Sequence, residues 1–389
     1  MKKKLTFRNL KLFIFFLYNL TYVLYMAGYI NRVINLVILS IFIIVCLYEY
    51  LNKIIRKKQK VTFGKEFKSA MIIVVAFFII SLIIQVIHKD FELYVISELL
   101  YNIIPPVLTF FWINTINEED VMPYFYIFFI RSITYFLLKN ANDLSISSIM
   151  QIDWNNSKSS IFESPLAHDF LFLEIIFLYT KKQKLALISM FFCLLSFKRI
   201  SFILSILVYI GYIFLNKRKK INDILNKEVG KFVIIMTFFV MSISPLILNW
   251  IVSDSGISYF SKNGIDINDF TTGRVGIIRY LRGHMKYYNG YGSTDNYLTN
   301  STYGNLSNLG SMHCDMLKLY YEVTELGVLI FIYEMLKIFK KKYITYCMLL
   351  YLFLELISSH FLDQLSVWNM FFMFTAYLYK KDEKGIKNE

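Results

Sequence analysis

Apolar positions dominate the chain in long blocks of about 17–22 residues, with short basic or polar stretches between them. A block of that length wound as an α-helix crosses roughly 30 Å of hydrocarbon. Twelve spans can be drawn, near 10–29, 33–51, 69–87, 94–114, 122–139, 165–180, 184–198, 200–216, 231–252, 315–336, 343–358 and 365–379. The pattern predicts an all-α polytopic integral membrane protein of about 12 transmembrane helices, one membrane domain over residues 1–389. Composition agrees. Hydrophobic residues make up 56% of the 389 and aromatic residues 18%, which excludes disorder. A soluble chain this long would instead show two or three domains joined by polar linkers.

The positions of the charges give the drawing an orientation. With the N-terminus in the cytoplasm, 29 of the 42 Lys and Arg fall in the N-terminal segment, the inner loops and the C-terminal tail. That excess is the positive-inside bias, and it predicts twelve crossings with both termini cytoplasmic. The formal net charge of +14 then reads as topology and adhesion to anionic lipid, not as a nucleic-acid surface. The opening Met-Lys-Lys-Lys resembles a signal-peptide start. No small-residue cleavage site follows, so the first span is expected to be retained. Cys46, Cys193 and Cys347 fall inside spans and Cys314 alone faces outward, which leaves no outer disulfide to form. Richness in Ile, Phe, Tyr, Lys and Asn suits a bacterial genome of high AT content.

Two outer segments are long, one near 140–164 and a large extracytoplasmic loop near 253–314. All five histidines (His88, His168, His284, His313 and His360) lie outside spans or at their outer ends, where an imidazole suits proton transfer. Lys198 and Arg199 occupy a tight outer turn against the charge rule, and outward cations of this kind suit an anionic substrate. The large loop carries Arg274, Arg279, Arg282, His284 and Lys286 within thirteen residues. Arginine presents a planar fork that matches phosphate, although a solvated basic face has the same composition. Residues 283–310 are rich in Gly, Asn, Ser, Thr and Tyr, which suit turns and sugar binding alike. Gly290–Gly292 lacks the strand–turn–helix setting of a dinucleotide fingerprint.

Charges inside the spans need partners or water. Arg131 is expected to pair with Glu98 or Glu174. Lys318 and Glu322, four residues apart, are expected to share a helix face with Glu325. Pro105–Pro106 is expected to break the fourth span. These charges fit structural ion pairs or a transport path. No zinc spacing, carboxylate cage, Walker loop or Gly-x-Ser-x-Gly elbow is present, so no metal or cofactor is called for.

Several segments together carry a family resemblance. They are the Thr-Gly-Arg opening of the loop within Thr-Thr-Gly-Arg-Val-Gly-Ile-Ile-Arg-Tyr-Leu (271–281), Gly-Tyr-Gly-Ser-Thr-Asp-Asn-Tyr-Leu (290–298), the run 312–331 from Met312-His313-Cys314-Asp315 through Glu325-Leu326-Gly327, the stretch 159–170, and Ser-Phe-Lys-Arg-Ile-Ser (196–201). In this order and topology the chain resembles the Wzy-type polysaccharide polymerases (O-antigen and capsule) and the related O-antigen ligase superfamily. It departs from them in having Cys314 after His313. The resemblance implies a membrane-embedded, GT-C-like glycosyltransferase of the bacterial cytoplasmic membrane, metal-independent and without a cofactor. It would transfer a growing glycan from undecaprenyl diphosphate to a lipid-linked repeat unit. It implies His313 as the base, Arg199, Arg274 and Arg279 as diphosphate ligands, and Lys198, Asp315, Tyr321 and Glu322 as substrate-binding or orienting residues. Its partners would be the undecaprenyl-diphosphate-linked oligosaccharide, membrane lipid, and a chain-length regulator and flippase of the same pathway, with no nucleic acid. A ligase and a lipid-linked oligosaccharide flippase are the alternatives. A flippase would be expected to show short outer loops and an internal repeat.

Overall fold

A computed structural model describes residues 6–57, 60–141, 166–196, 198–216, 230–267, 271, 274–300, 312, 314–339 and 343–385. Among these residues the regular structure is entirely helical. In chain order the helices are α1 (Phe7–Met26), α2 (Arg32–Lys57), α3 (Gly64–His88), α4 (Tyr94–Thr115), α5 (Met122–Lys139), α6 (Leu166–Tyr179), α7 (Gln183–Leu195) and α8 (Arg199–Asn216). They continue with α9 (Gly230–Ile251), α10 (Asp254–Lys262), α11 (Arg274–His284), α12 (Ser293–Asn300), α13 (Asp315–Ile338), α14 (Tyr343–Ser358) and α15 (Leu365–Gly385). Each of the twelve drawn spans falls on one helix. Six stretches are long and apolar enough to cross a membrane: Phe7–Met26, Arg32–Ile54, Gly64–His88, Tyr94–Thr115, Glu118–Lys139 and Phe232–Ile251. Whole faces of these helices expose large apolar side chains, among them Val75, Ile79, Ile83 and Val86 on α3 and Phe232, Ile235 and Phe239 on α9. Water does not tolerate such contiguous patches, whereas lipid covers them. The architecture is that of a helical membrane protein.

Local chemistry sets the helix ends. Thr6 caps α1 by accepting from Asn9 N (3.4 Å). At the other end, Gly28 takes a left-handed φ of 81°. Gly28 N then donates to Tyr25 O and Tyr29 N to Leu24 O, both at 2.9 Å, which satisfies two terminal carbonyls. The chain divides into two compact units. One comprises Met1–Gly64, Pro105–Asp223 and Ser366–Glu389, and the other Lys65–Ile104 and Ile224–Leu365. The division within α4 falls at Pro105–Pro106. The expected break does not occur: α4 runs through both prolines, which remove two amide donors without ending the helix.

In the first unit α1 packs on α2 and α5, and α6 packs on α5, α7 and α8. Phe15 sits at the centre of an aromatic cluster, with ring centroids 5.0–5.2 Å from Phe42, Tyr124 and Phe128. Helix α6 is buried from Leu166 through Leu178, as its all-round apolarity demands. At 1.5 Å per residue its fourteen described residues span about 21 Å. Its polar side chains are internal. Arg131 forms its ion pair with Asp169, which is neither of the two partners expected from the sequence. Asp169 also accepts from Ser132 (3.2 Å) and Ser366 (3.1 Å). The guanidinium lies 4.9 Å from the ring centroids of both Tyr22 and Phe128. Glu174 instead accepts from Ser205, and Glu98 belongs to the second unit. Breaking such a buried pair by removing one partner costs roughly 3–5 kcal/mol. Three lysines satisfy the C-terminal carbonyls of α4. Lys11 and Lys53 donate to Thr115 O (2.9 and 2.7 Å), and Lys380 donates to Ile113 O (2.6 Å). Cations at a helix C-terminus also oppose its negative dipole end.

In the second unit α9 packs on α13, α14 and α10, α13 packs on α14, and α12 rests on α13. Among its described residues the 253–314 segment carries three short helices, α10, α11 and α12, and shares a core with α9 and α13. Val275, Ile278 and Leu281 line one face of α11 and meet Val252, Ile267, Leu298, Met312, Cys314 and Leu317. The period of three along α11 is the helical repeat that buries one stripe.

Candidate functional site

The candidate chemistry of the second unit is organised around the Gly290–Gly292 turn. Both glycines have positive φ, 95° and 87°, a conformation that side chains disfavour. Space forbids a side chain as well. A Cβ on Gly290 would lie 2.8 Å from Ser81 Cβ, and one on Gly292 would lie 2.4 Å from Glu98 Cγ. The turn is thus pressed against α3 and the start of α4. Tyr291 N donates to Ser81 Oγ (2.9 Å), and Asn102 donates to the Tyr291 hydroxyl (2.7 Å). Just before it, Asn289 O accepts from Gln85 (3.2 Å) and from Tyr94 Oη (3.1 Å).

After the turn the chain enters α12, whose N-terminal amides are met by a carboxylate from α13. Glu322 accepts from Gly292 N and Thr294 N, each at 2.9 Å, and from Thr294 Oγ1 at 2.5 Å. A carboxylate there satisfies otherwise open donors and the positive dipole end. One turn earlier on α13, Lys318 pairs with Asp295 and stands 5.7 Å from the Tyr291 ring centroid. The other oxygen of Asp295 accepts from Met312 N (3.0 Å).

Helix α13 breaks immediately beyond Glu322. Val323 and Thr324 leave helical geometry, Thr324 with φ 62° and ψ 175°. Lys318 and Glu322 therefore do not share a face with Glu325, as an unbroken helix would have required. Glu325 is exposed, while Glu322 is buried. Gly327 has its place in this break, since a Cβ there would lie 2.6 Å from Val323 Cγ2.

The remaining residues singled out by sequence fare differently. Asp315, the first residue of α13, binds the 360–362 turn. It accepts from Phe361 N, from Leu362 N (2.7 Å) and from His360 Nδ1 (3.1 Å). His360 Nε2 reaches Asp363 at 2.9 Å. Burial opposes a charge on His360, but Asp315 and Asp363 outweigh it and hold its pKa up at about 10. Tyr321 donates to Asn249 (2.8 Å) and stacks on Tyr288 at 4.7 Å. Arg279 is 54% exposed and pairs with Asp254 at 3.1 Å, a solvent-screened bridge of little energetic worth.

Arg274 is half-buried at the N-terminus of α11. Its neighbour Val275 belongs to the core that holds Met312, Cys314 and Leu317. Burial pushes the Cys314 thiol up to about 12, with the charge of Arg274 acting in the opposite direction. His313 and the Thr272–Gly273 pair lie outside the described residues, as do 142–165 and 301–311. The two neighbours of His313 are held, Met312 by Asp295 and Cys314 through its Sγ on Ile357 O (3.1 Å).

In the first unit, Lys198 and Arg199 stand at the α7–α8 turn. Lys198 Nζ is 2.6 Å from Nε2 of His168, which is buried, so the imidazole accepts there and carries its proton on Nδ1. Arg199 is exposed and opens α8.

The sequence did not single out Asn289 or the roles of Asp295 and His360. Each acts through a contact with residues distant in the chain, and no spacing rule announces such contacts. Among the described residues, no group of three or more His, Cys, Asp and Glu is disposed to hold a metal ion. Comparison of the chain with protein-family models, with curated proteins and with solved structures finds no match.

Proposed function

We propose that the chain is a polysaccharide repeat-unit polymerase of the bacterial cytoplasmic membrane, working on its outer face with all twelve apolar helices crossing and both termini inside. The observation that carries this reading is the convergence in the second unit. The helix that begins at Arg274, the Gly290–Asp295 turn and the two neighbours of His313 all gather on the first turns of α13. These are three of the five segments in which the chain resembles the Wzy-type polymerases, and Asp295, Lys318 and Glu322 lie within them.

The reaction follows from the residue chemistry. The acceptor hydroxyl of a lipid-linked repeat unit attacks the anomeric carbon of the growing glycan. The new glycosidic bond forms as the bond to the diphosphate oxygen breaks. His313 takes the hydroxyl proton, a role worth roughly 10²–10⁴-fold in rate. Arg274 stabilises the charge that grows on the departing undecaprenyl diphosphate. Arg279, 54% exposed and in a solvent-screened bridge to Asp254, is the weaker ligand. Asp315, Glu322 and Tyr321 act by positioning: their polar atoms hold the 360–362 turn, the N-terminus of α12 and Asn249.

The test is deletion in the native host, followed by gel analysis of lipid-linked and surface glycans. A polymerase leaves single repeat units on the lipid and no ladder. His313→Ala and Arg274→Ala should reproduce that pattern from protein present at wild-type level. An intact ladder retained on undecaprenyl diphosphate would make the protein a ligase. Repeat units trapped on the inner leaflet would make it a flippase.

A further inference from the structure

The 285–300 segment and residues 90–94 between α3 and α4 line an open cleft of about 260 Å³. It is smaller than the ~300–1,000 Å³ of sites for drug-sized ligands, which suits one or two sugar rings. Asp90, Glu92 and Tyr94 line one wall, and Tyr287, Asn296 and Asn300 line the other. The period of two along 90–94 separates two faces. The three polar positions line the cleft, while Phe91 and Leu93 between them are 68% and 81% exposed. Apolar side chains that protrude beside a polar cleft place its rim where lipid and water meet.

Inside, the polar groups are held in place. The Tyr287 hydroxyl donates to Asp90 (3.0 Å), and its ring lies 4.0 Å from that of His88. Asn289 Nδ2 donates to Asp90 O (2.8 Å), and Asn300 donates to Asn296 Oδ1 (3.0 Å). Ser293, 4% exposed, lines the cleft beside Tyr94. Carboxylate, amide and phenol groups together match the alternating donors and acceptors of a sugar. The charge balance, Asp90 and Glu92 against Lys286, disfavours a phosphate.

We infer that this cleft is a glycan subsite, holding an uncharged sugar residue of the substrate apart from the Arg274–His313 chemistry. The inference rests on the polymerase reading. A sugar held here fixes the polymer relative to the reacting lipid-linked end, so the cleft governs how many additions follow one binding event.

The probe is the oligosaccharide released by mild acid from the lipid fraction of the deletion strain. It is titrated onto the full chain in detergent, with inorganic diphosphate as the control. Wild type and His313→Ala should bind it alike. Asn296→Ala and Glu92→Gln, both at partly or fully exposed positions, should weaken binding about tenfold each at unchanged melting temperature. In cells they should shorten the ladder without abolishing it. Oligosaccharide that binds the cleft variants as tightly as wild type, or binds none of them, overturns the subsite and leaves the polymerase reading standing. Diphosphate binding that falls in Glu92→Gln overturns the uncharged-sugar assignment. Absence of any accumulated lipid-linked unit in the deletion strain overturns the polymerase reading itself, and the subsite with it.

Discussion

Single residues hold the candidate site by excluding side chains or by carrying fixed charge. Gly292 combines a φ of 87° with Glu98 Cγ only 2.4 Å from where a Cβ would stand. Gly292→Ala is therefore expected to cost about 2 kcal/mol. The measurements are a lower melting temperature in detergent and faster proteolysis between α11 and α12. His360 makes a pH-dependent contribution. Its folded pKa of about 10 lies above the ordinary value of 6.5. Its stabilisation is complete below about pH 6.5 and disappears as pH rises through 10. Thermal unfolding from pH 6 to 10.5 should show wild type losing stability relative to His360→Gln across that window.

The informative element is α13. Its apolar pattern runs through residues 315–336, and the sequence reads as one span. The structure cuts it at Val323–Thr324. Discontinuous membrane helices leave backbone groups open beside polar partners, and here Glu322 stands at the cut with its carboxylate on α12. Thr324 occupies a region of φ and ψ that is almost exclusive to glycine, at a strain of roughly 1–3 kcal/mol. Thr324→Gly should raise the melting temperature by the equivalent of about 1 kcal/mol, read by thermal unfolding in detergent. Glu322→Ala should release α12, and exchange of the 293–300 amides should accelerate while α14 stays protected. Residues 323–324 carry no proline or glycine, so nothing local in the sequence marks the break. It is set by the match between Glu322, the α12 amides and Gly327.

At the scale of the whole molecule, orientation is the property to test. Cysteine introduced at Lys60 should be shielded from a membrane-impermeant maleimide in intact cells, and cysteine at Ser255 should react. Labelling at both positions, or the reverse pattern, would overturn the topology. What the sequence determined by itself was the position of the apolar helices, because an apolar block has to be a helix for its backbone to be satisfied in lipid. It also determined where the Arg, His and glycine positions of residues 253–314 lie. It did not determine which charges meet. Arg131 found Asp169 and not Glu174, Asp315 took the 360–362 turn, and Arg279 met Asp254 at the surface. Those outcomes belong to the tertiary structure, because an ion pair depends on the depth, direction and neighbours of two side chains far apart in sequence. A hydropathy pattern carries only the first of these, and only coarsely.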